Sequence, residues 1–141
     1  MRVSKYMTQK LITATPEMSV KDAFLVMRRH RVRHLPVVQG DRLVGIISDR
    51  DLRRPQWVDA LDDWTTYYQI NDDMLVKDAM TSNPEVVRTY DPIAKAVRVF
   101  REQRYGALPV MDKEGSLVGI LSAQDLLLAL EELLEKSRKK K

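Results

Sequence analysis

The feature that most constrains this chain is that it is written twice. Residue n matches residue n+73 through the first half of each copy. Met7-Thr8 meets Met80-Thr81, Ala23 meets Ala96, and Leu35-Pro36-Val37 meets Leu108-Pro109-Val110. One residue is then added inside a turn and the offset becomes 74. Leu43-Val44-Gly45-Ile46 meets Leu117-Val118-Gly119-Ile120, Ser48 meets Ser122, and Asp51-Leu52 meets Asp125-Leu126. So many identities in one order, with a single gap in a turn, mark an internal repeat. About fifty residues cannot bury a sheet alone, so two copies packed through their sheets are the economical fold.

Each copy reads as β-α-β-β-α, which makes the fold α/β (α+β). A short extended segment comes first, "LITAT" or "EVVRT". A helix follows. In copy one Ser19 is its natural N-cap, and Val20, Ala23, Phe24 and Met27 recur at helical spacing. In copy two Asp91 should cap and Pro92 take the first helical position, with Ile93, Ala96, Val97 and Phe100 repeating the stripe. A hairpin comes next, "HLPVVQGDRLVGIIS" or "ALPVMDKEGSLVGILS", each with a Gly-containing turn. Its proline cannot donate to a ladder and belongs at a strand start or edge. A second helix then begins at a Ser-x-x-Asp corner. Its clearest version, "AQDLLLALEELLEK", puts Leu126, Leu127, Leu130, Leu133 and Leu134 on one face. This divides the chain into repeat 1 (1–54), a linker (55–75), repeat 2 (76–135) and a basic tail (136–141).

Residues 53–75 match neither copy and hold both tryptophans and two of the five tyrosines. They read as a linker helix over the exposed ends of the repeats, or as a lid or dimer contact made by Trp57, Trp64, Tyr67 and Tyr68.

Other classes of chemistry find little support. With no cysteine, the chain has no disulfide framework and no thiolate metal site. His30 and His34 lie four apart, but no third ligand is placed and a break after the helix should separate them, so no metal is expected. No G-x-G-x-x-G, P-loop or Ser-His-Asp arrangement is present, and no catalytic residue is assigned. "MRVSKYMTQK" has no apolar core of a secretory signal and no run is long enough to span a membrane, so a cytoplasmic protein is expected. The net charge is +4, much of it in "KSRKKK". The body is nearly neutral, which gives weak support for a nucleic-acid partner.

The repeated "MT", "LPVV" and "LPVM", and "LVGIISDRDL" and "LVGILSAQDL" together resemble a CBS-domain pair, or Bateman module, across nearly the whole chain except linker and tail. The resemblance implies a non-catalytic, stand-alone regulatory module. It would bind an adenosine-containing ligand in clefts between the two repeats, assemble as a homodimer, and pass the bound state to an effector protein. The ligand would be AMP, ADP or ATP, with S-adenosylmethionine as an alternative, and no cofactor would be required.

The corner has two readings. Ser-x-x-Asp before an apolar run is a capping box. A helix N-terminus also suits phosphate, and a carboxylate can accept from both hydroxyls of a ribose. The resemblance gives phosphate to Ser48 and Ser122 and ribose to Asp51 and Asp125. It gives the base an apolar slot from Thr8, Ile12 and Thr13 in copy one and Thr81, Val86 and Val87 in copy two. Pro36 and Ile46, with Pro109 and Ile120, complete the lining. Arg33 and His34 precede the first "LPV", Gly106 and Ala107 the second. Arg50 adds charge to the first corner, so the two sites should differ, the first holding more phosphate charge. Two other readings stay open: an interaction scaffold with vestigial clefts, and nucleic-acid binding through the tail.

Overall fold

The computed structural model describes residues 1–52 and 74–140. The expected second helix of copy one and the aromatic linker fall outside the described residues.

The chain forms two compact units, and their boundaries do not follow the repeats. Residues Ile12–Pro84 make one, called here the contiguous unit; Met1–Leu11 fold with Glu85–Lys141 as the split unit. The contiguous unit contains α2 (Val20–His30), β1 (His34–Gln39), β2 (Arg42–Ser48), α3 (Val76–Ala79) and β3 (Thr81–Ser82). The split unit contains α1 (Val3–Tyr6), β4 (Val87–Arg88), α4 (Ile93–Gln103), β5 (Ala107–Met111), β6 (Leu117–Ser122) and α5 (Ala123–Lys139). Strand order is β1-β2-β3 in one sheet and β4-β5-β6 in the other.

Each hairpin is antiparallel and turns alternate residues toward its helices, and the prolines between them, Pro36 and Pro109, are buried as well. Leu35, Val37 and Ile47 pack with Val20, Ala23 and Met27 of α2 and with Val76 of α3. Leu108, Val110 and Leu121 pack with Ile93 and Ala96 of α4, Ala129 of α5, and Val3 and Tyr6 of α1. A fully buried aliphatic side chain of this size contributes about 1.5–3 kcal/mol, so these faces hold each unit together. Even the irregularities repeat. The hairpin register slips after Val37 and after Val110. Both preceding helices end on an arginine in the left-handed region, Arg31 at φ 56° and Arg104 at φ 57°. That break separates His30 from His34, and no cluster of three metal-ligating side chains exists among the described residues. No helix among them is long and apolar enough to cross a membrane.

The leading extended segment is shorter than the sequence suggests. In copy one it is a single parallel bridge, Ala14 to Val37; in copy two it is β4, parallel to β5. Ala14 exchanges bonds with the Pro36 carbonyl and the Val38 amide, both at 2.9 Å. Pro36 therefore turns its donor-less nitrogen away from β2, on the outer side of the hairpin, and the ladder loses nothing. Pro109 holds the same place, but there β4 makes β5 a central strand.

Three further expectations are adjusted. Ser19 caps α2 as read, its Oγ accepting from the Asp22 amide at 3.0 Å. Asp91 does not cap α4; Pro92 takes the N-cap position. The buried Asp91 carboxylate instead accepts from the Arg88 amide at 2.8 Å and meets Lys95 Nζ at 3.2 Å. Proline's fixed φ, here −68°, suits the cap position as well as the first turn. Val97, placed on the core stripe, is exposed. The face of α5 also differs. Ala129 is its buried residue and Leu126 packs partly beside it, while Leu127, Leu130, Leu133 and Leu134 are 48–62% exposed. The apolar arc of this helix is wider than the strip its own unit covers.

Candidate functional site

Strand alternation places a second set of side chains on the sheet face away from the helices. In the contiguous unit His34 stands opposite Ser48, Pro36 opposite Ile46, and Thr81 of β3 opposite the other side of Ile46. In the split unit Ala107 stands opposite Ser122, Pro109 opposite Ile120, and Thr8 bridges to the other side of Ile120. Pairs directly across a ladder share a face. Each sheet thus carries a Thr-Ile-Pro row and, next to it, a row ending in the serine of the corner. Among these matched positions one differs: His34 against Ala107.

The two Met-Thr segments are crossed between copies. Met7-Thr8 lies on the strand of copy two, where Thr8 and Ile120 exchange backbone bonds of 2.8 and 3.0 Å. Met80-Thr81 lies on the strand of copy one. The crossing is tight enough to require glycine. A Cβ at Gly45 would meet Met80 Sδ at 2.5 Å and the Thr81 carbonyl at 2.9 Å; one at Gly119 would meet the Thr8 carbonyl at 2.8 Å and Met7 Sδ at 3.0 Å. The sequence marked these glycines and methionines as repeat landmarks and assigned them no contact. The signal was the glycine inside each "LVGI", which in a strand marks close approach of another backbone.

Both corners carry the reciprocal Ser-Asp bonds of a capping box, and at Ser122 they close the start of α5. In the split unit Asp125 Oδ2 accepts from the Ser122 amide at 2.8 Å, and Ser122 Oγ accepts from the Asp125 amide at 3.2 Å. In the contiguous unit Asp51 Oδ2 accepts from the Ser48 amide at 2.8 Å, and Ser48 Oγ accepts from the Asp51 amide at 3.3 Å. Ser48 also donates its hydroxyl proton to Asp51 Oδ2 at 3.1 Å. One carboxylate oxygen closes each box. The other, Oδ1, makes no hydrogen bond among the described residues. Capping and ligand binding are therefore compatible: the cap fixes the aspartate rotamer through one carboxylate oxygen and does not use the other.

The residues before each "LPV" adjoin the corner. The Asp49 amide donates to the Arg33 carbonyl at 2.9 Å, and the Ala123 amide to the Gly106 carbonyl at 3.1 Å. Burial holds the His34 imidazole below its ordinary value; Asp49 and Asp51 pull it back up and Arg33 adds to the lowering. Arg33 and Arg50 are exposed. Ile12 packs partly against the contiguous core and Thr13 is half-buried beside it. Val87 is fully buried in the split core, with Val86 half-buried before it.

The family model of the CBS domain matches residues 3–56 and 76–132. A CBS domain-containing protein of Dictyostelium discoideum is 32% identical, the match covering 94% of this chain and 93% of that protein. An inosine-5'-monophosphate dehydrogenase of Korarchaeum cryptofilum is also 32% identical, but the match spans 89% of this chain and only 23% of the enzyme. CBSX2 of Arabidopsis thaliana superposes at a TM-score of 0.79 with 29% identity, covering 95% of this chain and 96% of that one. The crystal structure of CBSX2 in complex with AMP gives a TM-score of 0.75 and 30% identity, covering 93% and 97%.

Proposed function

The chain belongs to the CBS-domain family, and from that premise we propose that it is a regulatory module whose two Ser-x-x-Asp corners each bind an adenosine-containing ligand and pass the bound state to a partner. The observation that carries the reading is that at both corners Oδ2 of the aspartate closes the Ser-x-x-Asp pair beside an apolar Thr-Ile-Pro row, and that Oδ1 of Asp51 and of Asp125 accepts no hydrogen bond among the described residues. A row of this kind suits a planar base. A carboxylate oxygen suits the paired hydroxyls of a ribose. The serine and the amides of the corner suit phosphate. AMP is the first ligand to test, because CBSX2, 30% identical, was crystallised with it; ADP, ATP and S-adenosylmethionine complete the series. No catalytic step is assigned.

Calorimetric titration with AMP should saturate at two ligands per chain, and Asp51→Ala or Asp125→Ala should each weaken one of the two sites and leave the other unchanged. Saturation at one ligand, or no heat with any of the series, rejects the reading. The second reading is an interaction scaffold, which the exposed Leu127, Leu130, Leu133 and Leu134 of α5 favour. A homodimer through that face belongs to either reading. Light scattering of a Leu130→Glu, Leu134→Glu variant should then report a monomer where the parent reports a dimer.

A further inference from the structure

The two candidate sites share their backbone, their caps and their Thr-Ile-Pro rows, and differ at one position of the face. His34 stands opposite Ser48 where Ala107 stands opposite Ser122. We infer that His34 makes the site of the contiguous unit proton-linked and selective for phosphate-bearing ligands, while Ala107 leaves the matched site with no pH dependence beyond the ligand's own. The inference rests on the reading that both corners bind nucleotides.

Residues directly opposite in an antiparallel ladder have Cβ atoms about 4.5–5.5 Å apart. Any phosphate held at Ser48 therefore lies within reach of the His34 ring. An alanine at the matched place offers neither donor nor charge. The ring is half-buried, and burial favours its neutral form in the empty protein. Among the described residues the charges acting on it are Asp49 and Asp51 in the turn after β2, which favour the imidazolium, and Arg33 beside it, which opposes it. The facing residues of β2 and β3, Ser48, Ile46 and Thr81, carry no charge. A phosphate anion added to this balance favours the imidazolium, and both ring nitrogens then donate. Binding should take up a proton, so affinity at this site should rise as the pH falls toward the imidazole range. Adenosine has no anion and should show no such dependence.

The test is calorimetric titration of the full chain with AMP and with adenosine at about pH 6, 7 and 8. Two buffers of different ionisation heat would count the protons. The contiguous site should lose about three- to tenfold in AMP affinity relative to the split site across that range, at most tenfold per pH step for one proton. His34→Gln should abolish the relative loss, and Ala107→His should impose it on the split site. Because AMP's own phosphate titrates equally at both sites, the split site is the internal control. NMR of the His34 ring in the unmodified protein gives a second readout, with His30→Ala, on the exposed end of α2, for assignment. Its pKa should rise when AMP is added and stay put with adenosine. AMP bound at both sites with one shared pH profile, or a His34 pKa unmoved by AMP, overturns this inference alone. No AMP at either site overturns the nucleotide reading.

Discussion

The contiguous and split units agree where backbone geometry is demanding and diverge where side chains meet solvent or border the candidate sites. Both have a register slip after the same valine, a left-handed arginine ending the helix, a glycine under a crossing Met-Thr segment and a closed capping box. They part at the ends of those elements. His34 stands in the contiguous unit where the split unit has Ala107, and Ser48 donates to its aspartate where, among the described residues, no matching bond involves the Ser122 hydroxyl proton. In the split unit Tyr6 donates to Glu132 at 2.7 Å and Lys5 sits 3.4 Å from the same carboxylate, tying α1 to α5. The matched residues of α3 are Asp78 and Ala79, and Asp78 caps its own helix start instead. A duplicated sequence thus keeps the positions where a change would break the main chain and releases those where it would only change what is bound.

The largest expected effects would break this comparison outright. Gly45→Ala and Gly119→Ala each force a methyl against a backbone carbonyl at 2.9 and 2.8 Å, which cannot rotate away. Each should cost about 3 kcal/mol or more, at the upper end for overpacking. Denaturant melts showing one variant near wild type would mean that the two crossings are not equivalent.

The corners should give smaller losses that separate cap from ligand. Asp51→Ala and Asp125→Ala should each cost about 1 kcal/mol of stability through the cap. Each should also cost about 1.5–3 kcal/mol of affinity at its own site, the range for a hydrogen bond to a charged group. Ser48→Ala and Ser122→Ala should match that loss of stability and lose less affinity, because the corner amides remain. Calorimetry showing unchanged affinity in both aspartate variants, with lowered melting temperatures, would leave the corners as caps only.

Smaller still is the strain at Arg31 and Arg104. A non-glycine residue in the left-handed region costs roughly 1–2 kcal/mol, part of which glycine returns as chain entropy. Arg31→Gly and Arg104→Gly should each gain up to about 1 kcal/mol. Thermal melts showing gain at one site and loss at the other would mark a side-chain role for that arginine.

The smallest effect is on pH. Burial lowers the His34 pKa from 6.5, so the unfolded chain takes up its proton first. The stability of the contiguous unit should be complete above about pH 6.5 and decline as the pH falls below it, while His34→Ala should flatten that slope. A wild-type slope retained in His34→Ala would place the acid sensitivity elsewhere.

The hairpins, α2 and both capping boxes were legible in the sequence, because turn glycines, cap residues and apolar periods are local signals. The crossing of Met-Thr segments was not. Pairing the repeats says which residues are equivalent, and each Met-Thr fits either strand equally well, since both strands read "LVGI". The exposed leucines of α5 were hidden for another reason. A helical period gives the width of an apolar arc and not which part of it the neighbours cover. Asp91 was misplaced because a turn and a helix start one residue apart compete for the same carboxylate.

The crossing also sets an order of events during synthesis. Residues Ile12–Pro84 are consecutive, so that unit is complete as soon as it leaves the ribosome. The first eleven residues belong to a sheet whose strand at Ile120 is made more than a hundred residues later, a long loop to close. Residues 1–11 should therefore emerge before residues 12–84 and fold after them, waiting unpaired while that unit is already formed. Protease pulses on stalled nascent chains would show this as a cut near Met7 that persists after residues 12–84 become resistant and disappears only once β6 has emerged.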